Sequence, residues 1–139
     1  MAERFPATNL VPADAAGRMG LVRWLGFIST ELHKAVFGPI LDTKAPEAVK
    51  SWARDKAALR LGLVDKHLRT HEFLLDRFTV ADGYLATVLN WAPACDVDLG
   101  AWPAVDEYHA RVLARPAVAK AVSEERQLYK EQQARAAAR

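Results

Sequence analysis

Apolar residues recur at Leu21, Leu25, Ile28, Leu32 and Val36, in steps of three or four. That spacing is one face of a helix. It predicts a first helix over residues 14–37, with Asp14 as N-cap and Trp24 and Phe27 widening the stripe. Gly38 and Pro39 predict its end. Gly17, Gly20 and Gly26 are poor helix formers, each costing up to about 1 kcal/mol relative to Ala. Gly20 and Gly26 suggest a close helix approach. A second stripe, Ala53, Ala57, Leu61, Val64 and Leu68, predicts a helix over residues 46–69. Pro46 is a first-turn proline, and Trp52, Leu59 and Leu63 lie beside the stripe. Asp65 and Arg69 are read with the charges of its outer face. Two long helices joined by a short loop form an antiparallel pair.

Residues 78–91, FTVADGYLATVLNW, behave differently. Val80, Ala81, Tyr84, Leu85, Ala86, Val88, Leu89 and Trp91 go round the helix and leave almost no polar face. A helix of that kind sits in the middle of a bundle. Thr79 with Asp82 three residues on is a capping box, with Asp in place of Glu or Gln. A carboxylate in the first turn also suits the positive end of the helix dipole. Gly83 occupies the position where a hydrophobic staple would meet Phe78, so the polar box carries the start.

Pro93 ends this central helix. Trp102 and Pro103 open a shorter one, with Val105, Tyr108 and Val112 inward. Pro116 opens a last one, with Val118, Val122 and Leu128 as its apolar positions. Residues 1–12 hold two prolines and no periodicity, which predicts an extended arm. Residues 13–139 then form one domain, its last ~15 residues prone to fray because they have little to bury. No strand pattern, repeat or internal break appears. The fold class is all-α, a bundle of five or six helices.

DRFTVADGYLATVLNWA resembles the core helix of the C-terminal domain of bacterial, beta-class glutathione transferases. RWLGFISTELHK resembles the first long helix of that domain, and ARPAVAKAV its closing helix. The capping motif marks the wider superfamily, and FISTELHK is the more specific signal for the bacterial class. The likeness runs in order from about Phe5 to about Glu125. It implies a domain that supplies the hydrophobic-substrate pocket and dimer surface of a transferase. The family's thioredoxin-like domain is not recognisable in these residues. The resemblance therefore implies a chain that is catalytically incomplete alone, with a thioredoxin-like domain and a second copy of the chain as partners.

The resemblance places His33 and Lys34 at the mouth of the active site, where they help hold glutathione or its thiolate. A cationic or hydrogen-bonding pair stabilises a thiolate. It places Thr30 and Glu31 on the peptide part of glutathione, and Gly26 where the family has an asparagine. Phe37 and Trp91, with Trp24, Phe27 and Tyr84, are candidate walls for a hydrophobic small molecule. Glutathione enters as substrate; no intrinsic cofactor is implied.

Other chemistry is thin. His67 and His71 share a helix face at i, i+4, but two ligands do not make a metal site. His109 is read as a polar neighbour of the closing helices. Cys95 lies at a helix C-terminus beside Asp96, the wrong setting for a reactive thiol. Composition narrows the field further. The chain has 139 residues, 26% charged and 51% apolar, with formal net charge +2. That balance gives no electrostatic case for nucleic acid. No apolar run is long enough for a membrane span, and no leader pattern is present. A single cysteine fits a cytoplasmic protein. Two other functions remain open: a free-standing interaction or assembly module, and a ligand-binding domain or enzyme that works without glutathione.

Overall fold

A computed structural model describes residues 4–137. Its helices are α1 (Ala15–Phe27), a π-helical segment (Ile28–Phe37), α2 (Gly38–Leu41), α3 (Glu47–Leu68), α4 (Val80–Leu89), α5 (Pro103–Leu113) and α6 (Pro116–Ala137). Short 3-10 turns lie at Pro6–Thr8, Pro93–Cys95 and Leu99–Ala101. No strand occurs among the described residues, so the all-α reading holds.

The first rod starts as expected, with the Asp14 carboxylate accepting from the Gly17 N–H at 2.8 Å. It then departs from a plain α-helix. From Ile28 to Phe37 it is a π-helix, and the Gly38 N–H bonds back to the His33 carbonyl. Gly38 and Pro39 do not end the rod, which runs on as α2 to Leu41. The return from π to α register falls at Pro39, the residue with no N–H to donate, so the proline removes no bond there.

The second stripe is buried as read: Ala53, Ala57, Leu61, Val64 and Leu68 all face the core. Its flanks are not. Trp52, Leu59 and Leu63 are exposed, while Asp65, read as an outer charge, is buried. The Asp65 Oδ1 accepts from the Ala104 N–H at 2.9 Å, in the first turn of α5. Its Oδ2 accepts from Arg69 Nε at 2.9 Å and Nη2 at 2.8 Å. Trp102, at the cap position of α5, offers no side-chain cap. Asp65 therefore caps α5 from another helix. Burial pushes its carboxyl up, but Arg69 and the α5 backbone N–H groups outweigh that and hold it below the ordinary value.

The capped helix α4 is central: α1, the π segment and α5 all pack on it. Its box forms, with the Thr79 N–H donating to Asp82 Oδ2 at 2.8 Å. The Thr79 hydroxyl also donates to Oδ2, at 3.0 Å. Asp82 Oδ1 accepts from the Leu74 N–H at 3.0 Å and from the Tyr108 hydroxyl at 2.9 Å. One carboxylate thus ties the loop over residues 69–79, the start of α4 and the middle of α5. Burial, then the charge and hydrogen bond of Asp82, push the Tyr108 hydroxyl far above the ordinary tyrosine range. Phe78 lacks a staple partner at Gly83, and instead packs edge-on against Phe73 with its centroid 5.9 Å away. The Arg115 guanidinium lies 4.1 Å from the Phe78 ring centre.

The N-terminal arm departs from the expected extended form. Among residues 4–12 the arm is not simply extended. It turns at Pro6–Thr8, and Asn9 takes φ 53°, a left-handed conformation that Asn tolerates. The Leu10 carbonyl accepts the Val80 N–H at 3.1 Å, and Arg77 Nε donates to the Asn9 carbonyl at 3.2 Å. The arm is thereby joined to the start of the central helix. A Cβ at Gly17 would come within 2.6 Å of Pro12, so glycine lets the arm lie against α1. Gly26 meets nothing within 4 Å and serves no close helix approach. At the other end α6 is helical to Ala137. Beyond Val122 its side chains are exposed through position 136, including Leu128, which packs on nothing in the core.

Candidate functional site

His33 lies in the π segment with its ring turned toward α4. Its Nδ1 is 2.8 Å from the Tyr84 hydroxyl, a contact spanning 51 positions of sequence. Trp91, just past the end of α4, stands edge-on to the His33 ring with centroids 4.9 Å apart. Below them Phe37 meets Trp91 at 6.3 Å. Phe37 is 0% exposed, so it supports the cluster from the core and is not open to a ligand in this arrangement. His33, Tyr84 and Trp91 are each partly exposed, and Lys34 beside them is exposed. The result is an aromatic shelf bearing one imidazole, with the exposed Lys34 next to His33 in the chain.

The π segment divides the other implied residues between its sides. Glu31 faces α3, where its Oε2 accepts from Arg60 Nε at 2.7 Å and Nη2 at 2.6 Å. That ion pair occupies one of its carboxylate oxygens. Thr30 is exposed and donates its hydroxyl to the Gly26 carbonyl at 2.9 Å, which leaves its oxygen able to accept. The structure thus brings His33 and Trp91 together and sets Glu31 on a different side. Tyr84, read only as an aromatic wall, supplies the polar contact that sequence reasoning missed. Spacing gives no signal for a pair this far apart. The one hint is a hydroxyl on a helix that is otherwise almost wholly apolar.

The aromatics do not form one wall. Trp24 contacts Phe27 at 5.8 Å and His67 at 4.8 Å, on the α1–α3 side. A hollow of about 200 Å³ there is lined by Arg23, Trp24, Phe27 and Leu63. Thr79 and Asp82, already placed in the buried hub, belong to neither cluster.

His67 and His71 stack face to face, centroids 4.1 Å apart and 10° from parallel, and do not converge on a point. His71 Nδ1 is within 3.0 Å of the His67 carbonyl. His109 Nε2 lies 2.9 Å from Asn90 Oδ1. Cys95 is buried in its turn; burial, then the Asp96 charge, push its thiol up, against a smaller pull from Arg54.

Burial holds the pKa of both His67 and His109 below the ordinary value of 6.5, with His71 adding to the effect on His67. The folded state keeps these imidazoles neutral, while the unfolded chain protonates near the ordinary value. Their contribution is therefore full above that value and is lost as pH falls through the depressed folded values. We expect the melting temperature to drop between about pH 7.5 and about pH 5.5, and the drop to shrink in a His67→Gln, His109→Gln double variant. Identical slopes in the two proteins would contradict this.

Comparison with known proteins places these features in context. The family described as Glutathione S-transferase, C-terminal domain matches residues 27–116. Glutathione S-transferase GstA of Escherichia coli O157:H7 is 35% identical over 117 residues, covering 84% of this chain and 58% of the relative. A glutathione transferase structure from Methylococcus capsulatus str. Bath superposes with TM-score 0.83 at 41% identity, covering 89% of this chain and 62% of the other. A sphingomonad glutathione S-transferase complexed with glutathione superposes with TM-score 0.83 at 32% identity and the same coverage. The chain thus spans less than two thirds of the length of each of these proteins.

Proposed function

Because the chain belongs to the glutathione S-transferase family through its C-terminal domain, we propose that the His33 shelf is its contribution to a transferase active site. The observation that carries this reading is the shelf itself. His33 is fixed by Tyr84 at 2.8 Å and flanked by Trp91, with an exposed cation next to it. A thiolate needs a donor that does not have to reorganise and positive charge nearby; His33, held by Tyr84, offers the first and the adjacent Lys34 the second. In this reading His33 and Lys34 face the sulfur of glutathione, and Trp91 walls the hydrophobic co-substrate above Phe37. Thr30 offers an acceptor to the peptide part. Glu31 has a second oxygen for that role, but its ion pair with Arg60 makes it first a brace between helices.

The thioredoxin-like half of the site would come from a partner domain. Fusing the part of the Escherichia coli relative that this chain does not cover ahead of residue 1, as the expected thioredoxin-like domain, tests this. The fusion is expected to conjugate glutathione to an aromatic electrophile with saturation in both substrates. The 139 residues alone are expected to stay at background, because positioning of the tripeptide supplies much of the rate. A fusion that binds glutathione but never turns over would favour the interaction-module reading.

The same reading includes a homodimer. The faces of α1 and α3 expose Met19 at 71%, Val22 at 64%, Leu59 at 60% and Leu63 at 52%. Beside them lie the half-buried Trp24 and Phe27. Exposed apolar side chains grouped on two helices in this way support an interface, and twofold closure is the commonest form of one. Light scattering is expected to give a dimer mass that Leu59→Glu with Leu63→Glu converts to monomer. A monomer at all concentrations in the parent chain would refute the dimer.

A further inference from the structure

We propose that Tyr84 is a positioning residue that holds the His33 imidazole with its proton on Nε2, so that His33 presents a fixed hydrogen-bond donor at that nitrogen. The tautomer is argued from geometry alone; its use on a ligand rests on the function proposed above.

A neutral imidazole has one donor nitrogen and one acceptor nitrogen, and the partner of either decides which is which. Here the partner of Nδ1 is the Tyr84 hydroxyl at 2.8 Å. Two arrangements share that distance. In one, the phenol donates to a bare Nδ1. In the other, Nδ1–H donates to the phenol oxygen, and the phenol proton must go elsewhere. Among the described residues the Tyr84 hydroxyl has no other partner, and the contact is partly buried. The first arrangement satisfies the phenol proton within the protein; the second leaves it to solvent. A phenol O–H is a stronger acid than a neutral imidazole N–H, and a bare ring nitrogen is a better acceptor than a phenol oxygen, so the first arrangement is the stronger bond.

The ring is also held against turning over. Trp91 meets it edge-on at 4.9 Å and 71°, and the Tyr84 ring at 6.0 Å and 73°. A flip would take Nδ1 away from the hydroxyl. The charged groups nearby do not compete for Nδ1: Glu31 is committed to Arg60 on the α3 side, and Lys34 is exposed. Adding a proton does not undo the arrangement. It goes to Nδ1, the bond to Tyr84 reverses direction, and Nε2 still carries its hydrogen. Nε2 is therefore a donor in both charge states. Its complement is a group with exposed lone pairs, a thiolate or carboxylate.

Nitrogen-15 NMR of the imidazoles reads the tautomer directly. The 139-residue chain is measured at about pH 8.5, where ordinary imidazoles are neutral, with His33→Gln assigning the signal. A bare Nδ1 and protonated Nε2 for His33 are expected. Tyr84→Phe should lose that preference and give a tautomer mixture, with the other histidines unmoved as proof of fold. His33 protonated on Nδ1 in the parent chain overturns the proposal, as does an unchanged ratio in Tyr84→Phe. Should Tyr84→Phe not fold, the parent tautomer decides alone. The ligand arm uses the fusion and glutathione calorimetry. His33→Gln, which keeps an N–H near the ε position, should retain affinity within about threefold, while His33→Asn should lose about tenfold, the scale of one hydrogen bond. Equal losses overturn the donor role. A parent fusion that binds no glutathione sinks the function reading, and the tautomer still stands or falls on the NMR result.

Discussion

Asp82→Ala is expected to lower the melting temperature by about 10 °C or more. An N-cap lost by itself costs about 1 kcal/mol. The structure makes the loss larger. Asp82 is 0% exposed and accepts from the Thr79 N–H and hydroxyl, the Leu74 N–H and the Tyr108 hydroxyl. Alanine strands these donors inside the protein, at about 1–3 kcal/mol for each that water cannot reach. With partial relaxation the total should be about 3–5 kcal/mol, a large part of the roughly 5–15 kcal/mol a domain has to lose. Tyr108→Phe removes one donor without stranding another group and should cost only about 1 kcal/mol. A calorimetric drop for Asp82→Ala no larger than that of Tyr108→Phe would reduce the hub to an ordinary cap.

Asp65→Ala is expected to cost about 2 kcal/mol. Its carboxylate caps α5 from α3, where the local sequence provides no cap, and its cationic partner among the described residues, Arg69, is itself mostly exposed. The bond to the Ala104 N–H should therefore dominate, since an exposed guanidinium recovers water when its partner goes. Asp65→Asn keeps an acceptor for that N–H and should recover about half the loss. Denaturant unfolding of the two variants separates the contributions. Equal midpoints for Asn and Ala would mean that the charge matters and the cap does not.

These two carboxylates also mark what could be read from the chain. Asp82 was legible because its cap partner, Thr79, is three residues away; its bonds to Leu74 and Tyr108 were not, because they depend on how helices meet. Asp65 looked like an outer charge because its partner lies 39 positions on. The buried stripes of the first rod and α3 were legible because burial repeats at helical spacing. That spacing does not separate a π turn from an α turn, so the rod was ended too early and the division of Glu31 from His33 went unseen. Apolarity also does not say which face is covered: Leu59 and Leu63 are exposed, while Phe37 is sealed in the core. The shelf was half visible. His33 and Lys34 came from a family likeness and Trp91 from its place at a helix end; the bond from Tyr84 came only from the fold.

The most direct test of the account is the effect of His33→Ala in the fusion with the thioredoxin-like domain, measured as kcat/KM for conjugation. The account predicts a fall of about a hundredfold, the size expected when one preorganised donor to a reacting anion is removed. It also predicts a melting temperature lowered by only a few degrees, since His33 is half-buried and the Tyr84 hydroxyl it leaves is partly open to water. Conjugation at the parent rate in His33→Ala, with the fusion folded and saturable by glutathione, would contradict the claim that this shelf serves the reaction.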